Sequence, residues 1–116
     1  MKNNKIIIHR GRSYIIIVPV VYEDGTAVAI SSSEDVIRFS VRRQTEGPVV
    51  INKVMSYDNE TGTASIELTP ADTKDLQLGY YHYDIGVDFS DGSFYDLVEW
   101  SEFNLLPSAS QHEEQD

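Results

Sequence analysis

At 116 residues and 13.1 kDa the chain is long enough for one domain with a real core and too short for two of ordinary size. Hydrophobic residues make up 41% and charged residues 24%, which suits a globular domain, and no apolar run approaches the roughly 18 residues of a membrane-spanning helix. A formal net charge of −10 disfavours nucleic acid and anionic membrane as partners, and the absence of cysteine excludes a disulfide framework and a thiolate metal site.

The charge is unevenly placed. Residues 1–56 hold eight Lys/Arg against five Asp/Glu, a net of +3, and residues 57–116 hold one Lys against fourteen Asp/Glu, a net of −13. Such a split can orient the chain against a neighbour or against a copy of itself. The opening run MKNNKIIIHRGR has only three consecutive isoleucines, too short for the apolar core of a signal peptide, so no export signal is expected. With no cysteine, a reducing cytoplasm is the expected place of synthesis.

Residues 5–9 read as a short β-branched strand broken by Gly11. Residues 13–22, SYIIIVPVVY, are apolar on both parities, and Pro19 predicts an edge or a bulge because it cannot donate to a ladder. Glu23-Asp24-Gly25-Thr26 is a turn and 27–34 a loop. Residues 36–43 alternate, with Ile37, Phe39 and Val41 inward and Arg38, Ser40 and Arg42 outward. After a turn at 44–48, residues 49–55 read as one strand, and Asp58-Asn59-Glu60-Thr61-Gly62 is a strong turn signal. Ala64, Ile66 and Leu68 form one face of the next strand.

Thr69-Pro70-Ala71-Asp72 has the chemistry of a helix start, so a single helical turn is expected over 70–74, pinned by Leu76 and Leu78 and ended by Gly79. Two long strands follow. Tyr81, Tyr83, Ile85, Val87 and Phe89 alternate with the mostly polar Tyr80, His82, Asp84, Gly86 and Asp88, and Ser90-Asp91-Gly92 turns the chain into the last strand. The pattern predicts an all-β antiparallel sandwich of about seven strands with one short helical turn, a single domain over 1–106, and an acidic polar tail over 107–116.

No catalytic, metal or cofactor site is expected. His9, His82 and His112 lack metal-ligand spacing. Asp84, Asp88, Asp91, Asp96, Glu99 and Glu102 crowd the last hairpin, but Asp88 to Gly92 does not match a calcium loop, and a hairpin turn explains Asp91-Gly92. Carboxylates scattered over the outside of a small sandwich do not face each other across a cleft, as glycosidase chemistry requires. Ser31–Ser33 lack the context of an activated nucleophile.

The aromatics are the remaining signal. Tyr80, Phe94 and Trp100 fall on the outward parity or beside an expected bulge at Glu99-Trp100, which would restore Phe103 and Leu105 to the inside. That bulge could carry Trp100 into the core or leave it outside for a partner. Ile6, Ile8, Ile15 and Ile17 add more apolar surface than one sheet face needs. The candidate interface residues are therefore Ile6, Ile8, Tyr80, His82 and Trp100.

The order of these parts resembles a family. Arg10-Gly11-Arg12-Ser13-Tyr14 leads into a long apolar strand and the turn Glu23-Asp24-Gly25. Thr63 through Thr73, Leu78-Gly79-Tyr80-Tyr81-His82-Tyr83-Asp84-Ile85, Asp91-Gly92 and a closing strand over 95–105 follow. This is similar to the small Ig-like β-sandwich of tailed-bacteriophage virion proteins, as in the N-terminal domain of baseplate upper proteins, over roughly residues 4–106. The resemblance implies a non-enzymatic structural component of a phage particle, in head decoration, neck, or tail and baseplate. It would be assembled in the host cytoplasm and held in many copies, or as a homo-oligomer, by contacts with other virion proteins. It implies no catalytic residues and no cofactor. A carbohydrate- or host-surface-binding module using Trp100, Tyr80 and His82 is the alternative.

Overall fold

The computed structural model describes residues 4–108, with the exception of positions 32 and 45. Ser32, His112 and the acidic tail from 109 onward lie outside the described residues. In chain order the described elements are β1 (Ile6–His9), β2 (Tyr14–Pro19), β3 (Val36–Arg42), β4 (Val49–Val54), β5 (Ser56–Asp58), β6 (Thr63–Leu68), α1 (Pro70–Thr73), β7 (Gly79–Asp88) and β8 (Phe94–Leu106). They form a five-stranded sheet, β1-β8-β7-β3-β4, and a three-stranded sheet, β2-β6-β5. The fold is an all-β sandwich with one short helical turn, as the alternation predicts.

Two details differ from the expectation. The strand expected over 49–55 ends at Val54, and a second short strand follows over Ser56–Asp58, taking in Asp58 from the expected turn and raising the number of described strands to eight. Met55 is the handover. Its N–H still donates to Ile37 in the large sheet at 2.7 Å, while Ser56 already pairs with Ser65 in the small one. The large sheet is also mixed rather than wholly antiparallel, because β1 runs parallel to β8 with Ile6 opposite Phe103 and Ile8 opposite Leu105. A parallel pair needs a crossover connection. Here the rest of the domain is that crossover.

The core lies where the inward faces of the two sheets meet. Ile37, Phe39 and Val41 of β3 and Tyr81, Tyr83, Ile85 and Val87 of β7 are buried, as their period of two requires. Ala64 and Leu68 of β6 are buried opposite them, with Ile16 and Val18 of β2 packed alongside. Phe103 is fully buried among rings, 6.3 Å from the centroids of Phe39 and Tyr83 and 6.4 Å from Tyr81.

Polar residues lock the ends of the sandwich. The N–H of His9 donates to the Tyr14 hydroxyl at 2.8 Å, and that of Gly11 (φ +81) donates to Thr73 Oγ1 at 2.9 Å. Thr73 is fully buried, so this bond ties the β1–β2 connection to α1. These contacts explain the spacing of Gly11 and Tyr14 in structural terms. Leu76 packs on the core as expected, whereas Leu78 is exposed, outside the turn that Gly79 (φ +130) makes into β7. Of the tail, Pro107 and Ser108 are described, and Ser108 is buried with its hydroxyl accepting from Arg12 Nε at 3.4 Å.

Candidate functional site on the outer face of the large sheet

The outward positions of β7 place Tyr80, His82 and Asp84 in a row, with Arg42 of β3 beside His82 and Glu102 of β8 on its other flank. The geometry of this face is set by β8. Tyr83 pairs with Ser101 and Ile85 with Val98, so β8 uses three residues where β7 uses two. That is the expected bulge at Glu99-Trp100. It returns Phe103 and Leu105 to the core but leaves both Glu99 and Trp100 on the outside. A second irregularity follows, because Gly86 pairs with Asp96 and leaves Leu97 as the extra residue.

Trp100 is 41% exposed and stacks on His82, with ring centroids 4.8 Å apart and planes inclined by 11°. Tyr80 is 64% exposed, two residues along the same face. Phe94 is 56% exposed but has a structural task, since its ring lies over Gly86, where an added Cβ would meet Phe94 Cζ at 2.3 Å. The glycine therefore makes room for an aromatic that shields the outer face.

The imidazole of His82 is held by stacking. Its Nδ1 is enclosed without a hydrogen-bond partner among the described residues. An unpartnered buried polar atom is costly, and an apolar replacement of similar shape removes that cost. His82→Phe should therefore melt at or above the wild-type temperature, with a gain of up to about 1 kcal/mol. His82→Ala should lose about 0.5–1.5 kcal/mol of ring packing. A clear loss of stability in His82→Phe, measured by thermal denaturation, would show that Nδ1 is bonded in solution.

Charge on this face is partly compensated. Partial burial pushes the Asp84 carboxyl above its ordinary range, nearby Asp96 adds to the rise, and Arg42 opposes it. Lys5 lies 3.8 Å from Glu102 and Arg38 lies 3.5 Å from Asp88; such exposed pairs contribute about 0–1 kcal/mol each. Asp91 belongs to the turn. Its carboxylate accepts from the N–H and the hydroxyl of Ser93 at 2.8 and 2.6 Å, and these bonds hold its pKa below the ordinary value. Tyr83, on the inward side, donates its hydroxyl to the Asn4 carbonyl, and burial raises its pKa to about 12. Among the described residues no three of His, Asp and Glu converge as metal ligands do.

Trp100 also lines an open groove of about 870 Å³ between residues 18–23 and 94–101, where the two sheets part. The rings of Tyr22 and Tyr95 meet edge to face across that seam, 4.9 Å apart and inclined by 72°. No local signal in the sequence marks this groove, because it is built from segments more than seventy residues apart.

Of the candidate interface residues, Tyr80, His82 and Trp100 share the outer face. Ile6 and Ile8 are corrected. Their pairing with Phe103 and Leu105 turns them inward, so Ile8 is buried in the core and Ile6 is packed against it. The outward isoleucine of β1 is Ile7. The surplus apolar surface lies on β2 instead, where Ile15 and Ile17 are 68% and 62% exposed.

No family model matches the sequence, and no curated protein matches it significantly.

Proposed function

We propose that the chain is a non-enzymatic attachment module that works by protein–protein contact, as a repeated structural component of a bacteriophage particle. One observation carries the contact reading. Trp100, braced by His82 and next to Tyr80, stands on the outside of the sandwich, although an indole is among the side chains with most to gain from burial. Large aromatics dominate the affinity of protein interfaces because they bury much area at small entropic cost. The resemblance to virion sandwich domains supplies the setting, in which assembly symmetry multiplies a modest contact.

Trp100→Ala tests this reading. The isolated domain should stay folded, because the indole contributes to the outer face rather than to the core, and incorporation into the assembled particle should fall. Unfolding of the variant, with normal assembly of particles around other folded variants, would make Trp100 a stability residue and overturn the interface.

The carbohydrate-binding reading is favoured by the same braced indole, which offers a flat apolar surface flanked by the polar groups of His82 and Glu102. A polysaccharide pull-down separates the two readings, since a purely structural component retains no glycan.

A further inference from the structure

We infer that two copies of this chain pair through β2, joining their small sheets edge to edge in an antiparallel two-fold arrangement. The surface lies on the sheet opposite Trp100, so the inference goes beyond the attachment reading.

The first observation is a free hydrogen-bonding edge. Among the described residues β2 pairs only with β6, and it is the outer strand of its sheet. The N–H of Val20 donates to Gly62 on the β6 side at 2.9 Å. Alternate residues of a strand bond to opposite neighbours, so Val18, Ile16 and Tyr14 also face β6. Ile15 and Ile17 therefore direct their N–H and C=O groups to the open side. Pro19 falls on that side too, where its missing N–H costs nothing and its carbonyl can still accept.

The second observation is the lack of protection along Ile15 and Ile17. Edge strands are usually blunted by charge, by proline, by a bulge or by a cover, and the proline of β2, Pro19, stands only at the end of the strand. β2 keeps an unbroken register with β6, and residues 13–22 carry no charge. Ile15 and Ile17 stand exposed on its outer face beside the polar Glu67 and Ser65 of β6.

The third observation is self-complementarity, which argues for a second copy. Hydrogen-bonded antiparallel partners must both come from the open-side set, and the central register sets Ile15 opposite the copy's Ile17 and Ile17 opposite its Ile15. Each pair exchanges backbone bonds, and the four isoleucines meet as cross-strand neighbours. The strand itself ends at Pro19, and residues 20–22 then fold back on 26–28 through Val28 N–H to Val20 and Tyr22 N–H to Thr26. Arg12 precedes the edge and Glu23-Asp24 follows it, so the two-fold brings each Arg12 toward the acidic turn of the other copy. Two molecules of charge −10 thus meet at an uncharged strand flanked by opposite signs.

Sedimentation of the full chain tests the pairing. Wild type should form a dimer that dissociates on dilution, and Ile17→Lys should be monomeric at the same concentration with the melting temperature of diluted, monomeric wild type, since the site is exposed. Because the chain has no cysteine, register is tested separately. Under oxidation, Ile15→Cys and Ile17→Cys chains should cross-link when mixed and neither should cross-link alone. A wild type that is monomeric at every concentration, or a dimer that survives Ile17→Lys intact, overturns the pairing. Cross-linking of either cysteine variant alone overturns the register. Trp100→Ala should leave the dimer unchanged, so failure here and failure of the attachment reading are separately visible.

Discussion

Phe103→Ala should destabilise the domain by about 3–5 kcal/mol, the range of buried aromatic truncations that leave a cavity. Phe103 is fully buried and lies within 6.4 Å, centroid to centroid, of Phe39, Tyr81 and Tyr83. Removing the ring therefore strips contacts from three other rings at once. It also faces Ile6 across the parallel pair, so the void opens beneath β1. A domain of this size commonly has only 5–15 kcal/mol of stability, so the variant should sit close to its unfolding threshold. Urea denaturation gives the value. A loss below about 1 kcal/mol would mean that the bulge in β8 does not return this residue to the core.

Asp72→Ala should cost about 1–2 kcal/mol near neutral pH, from a lost helix-start contact and a stranded partner. The Asp72 carboxylate accepts the Thr69 N–H at 2.7 Å and the Thr69 hydroxyl at 3.1 Å, and it lies 2.5 Å from Lys53 Nζ. Lys53 also donates to the Glu67 carbonyl at 3.1 Å, so one carboxylate links α1, β4 and β6. Partial burial pushes the Asp72 pKa up, but the hydrogen bonds and charge of Lys53 and the bonds from Thr69 outweigh it, and the net shift is downward. A depressed carboxylate contributes stability above its unfolded value of about 3.9 and loses it as pH falls through the folded value. The gap between wild type and Asp72→Ala should therefore be full at pH 7 and close below about pH 4. A gap that stays constant to low pH would assign the effect to packing rather than to the ion pair.

The strands that were legible in the sequence are those whose two faces see different media. In β3 and β7 one parity is solvated, so the period of two survives in the residues themselves. The handover at Met55 was not legible, because no turn residue separates Val54 from Ser56 to mark the switch. Which ladder each half joins depends on Ile37 and Ser65, residues far away in sequence. The direction of β1 was hidden for the same reason. Three consecutive isoleucines suit either neighbour, and only the pairing with β8 decides that Ile6 and Ile8 turn in while Ile7 turns out.

The candidate site divides along the same line. Tyr80 and His82 were readable as outward from parity alone. The bulge at Glu99-Trp100 was readable from the need to bring Phe103 inside. The side on which Trp100 emerged was not, because a bulge sets two successive side chains on one face and strand parity no longer decides between them. The stack on His82 is a product of register, and no spacing within either strand announces it.

The parallel pairing of β1 with β8 also imposes an order of events during synthesis. Ile6 and Phe103 are 97 positions apart, so at about 5–20 residues per second β1 waits roughly 5–20 seconds for its partner to be made. Through that interval the first strand of the chain has no completed place in the sheet, and its isoleucines are open to any chaperone or neighbouring nascent chain. A strand made long after β1 is thus the one that shelters it.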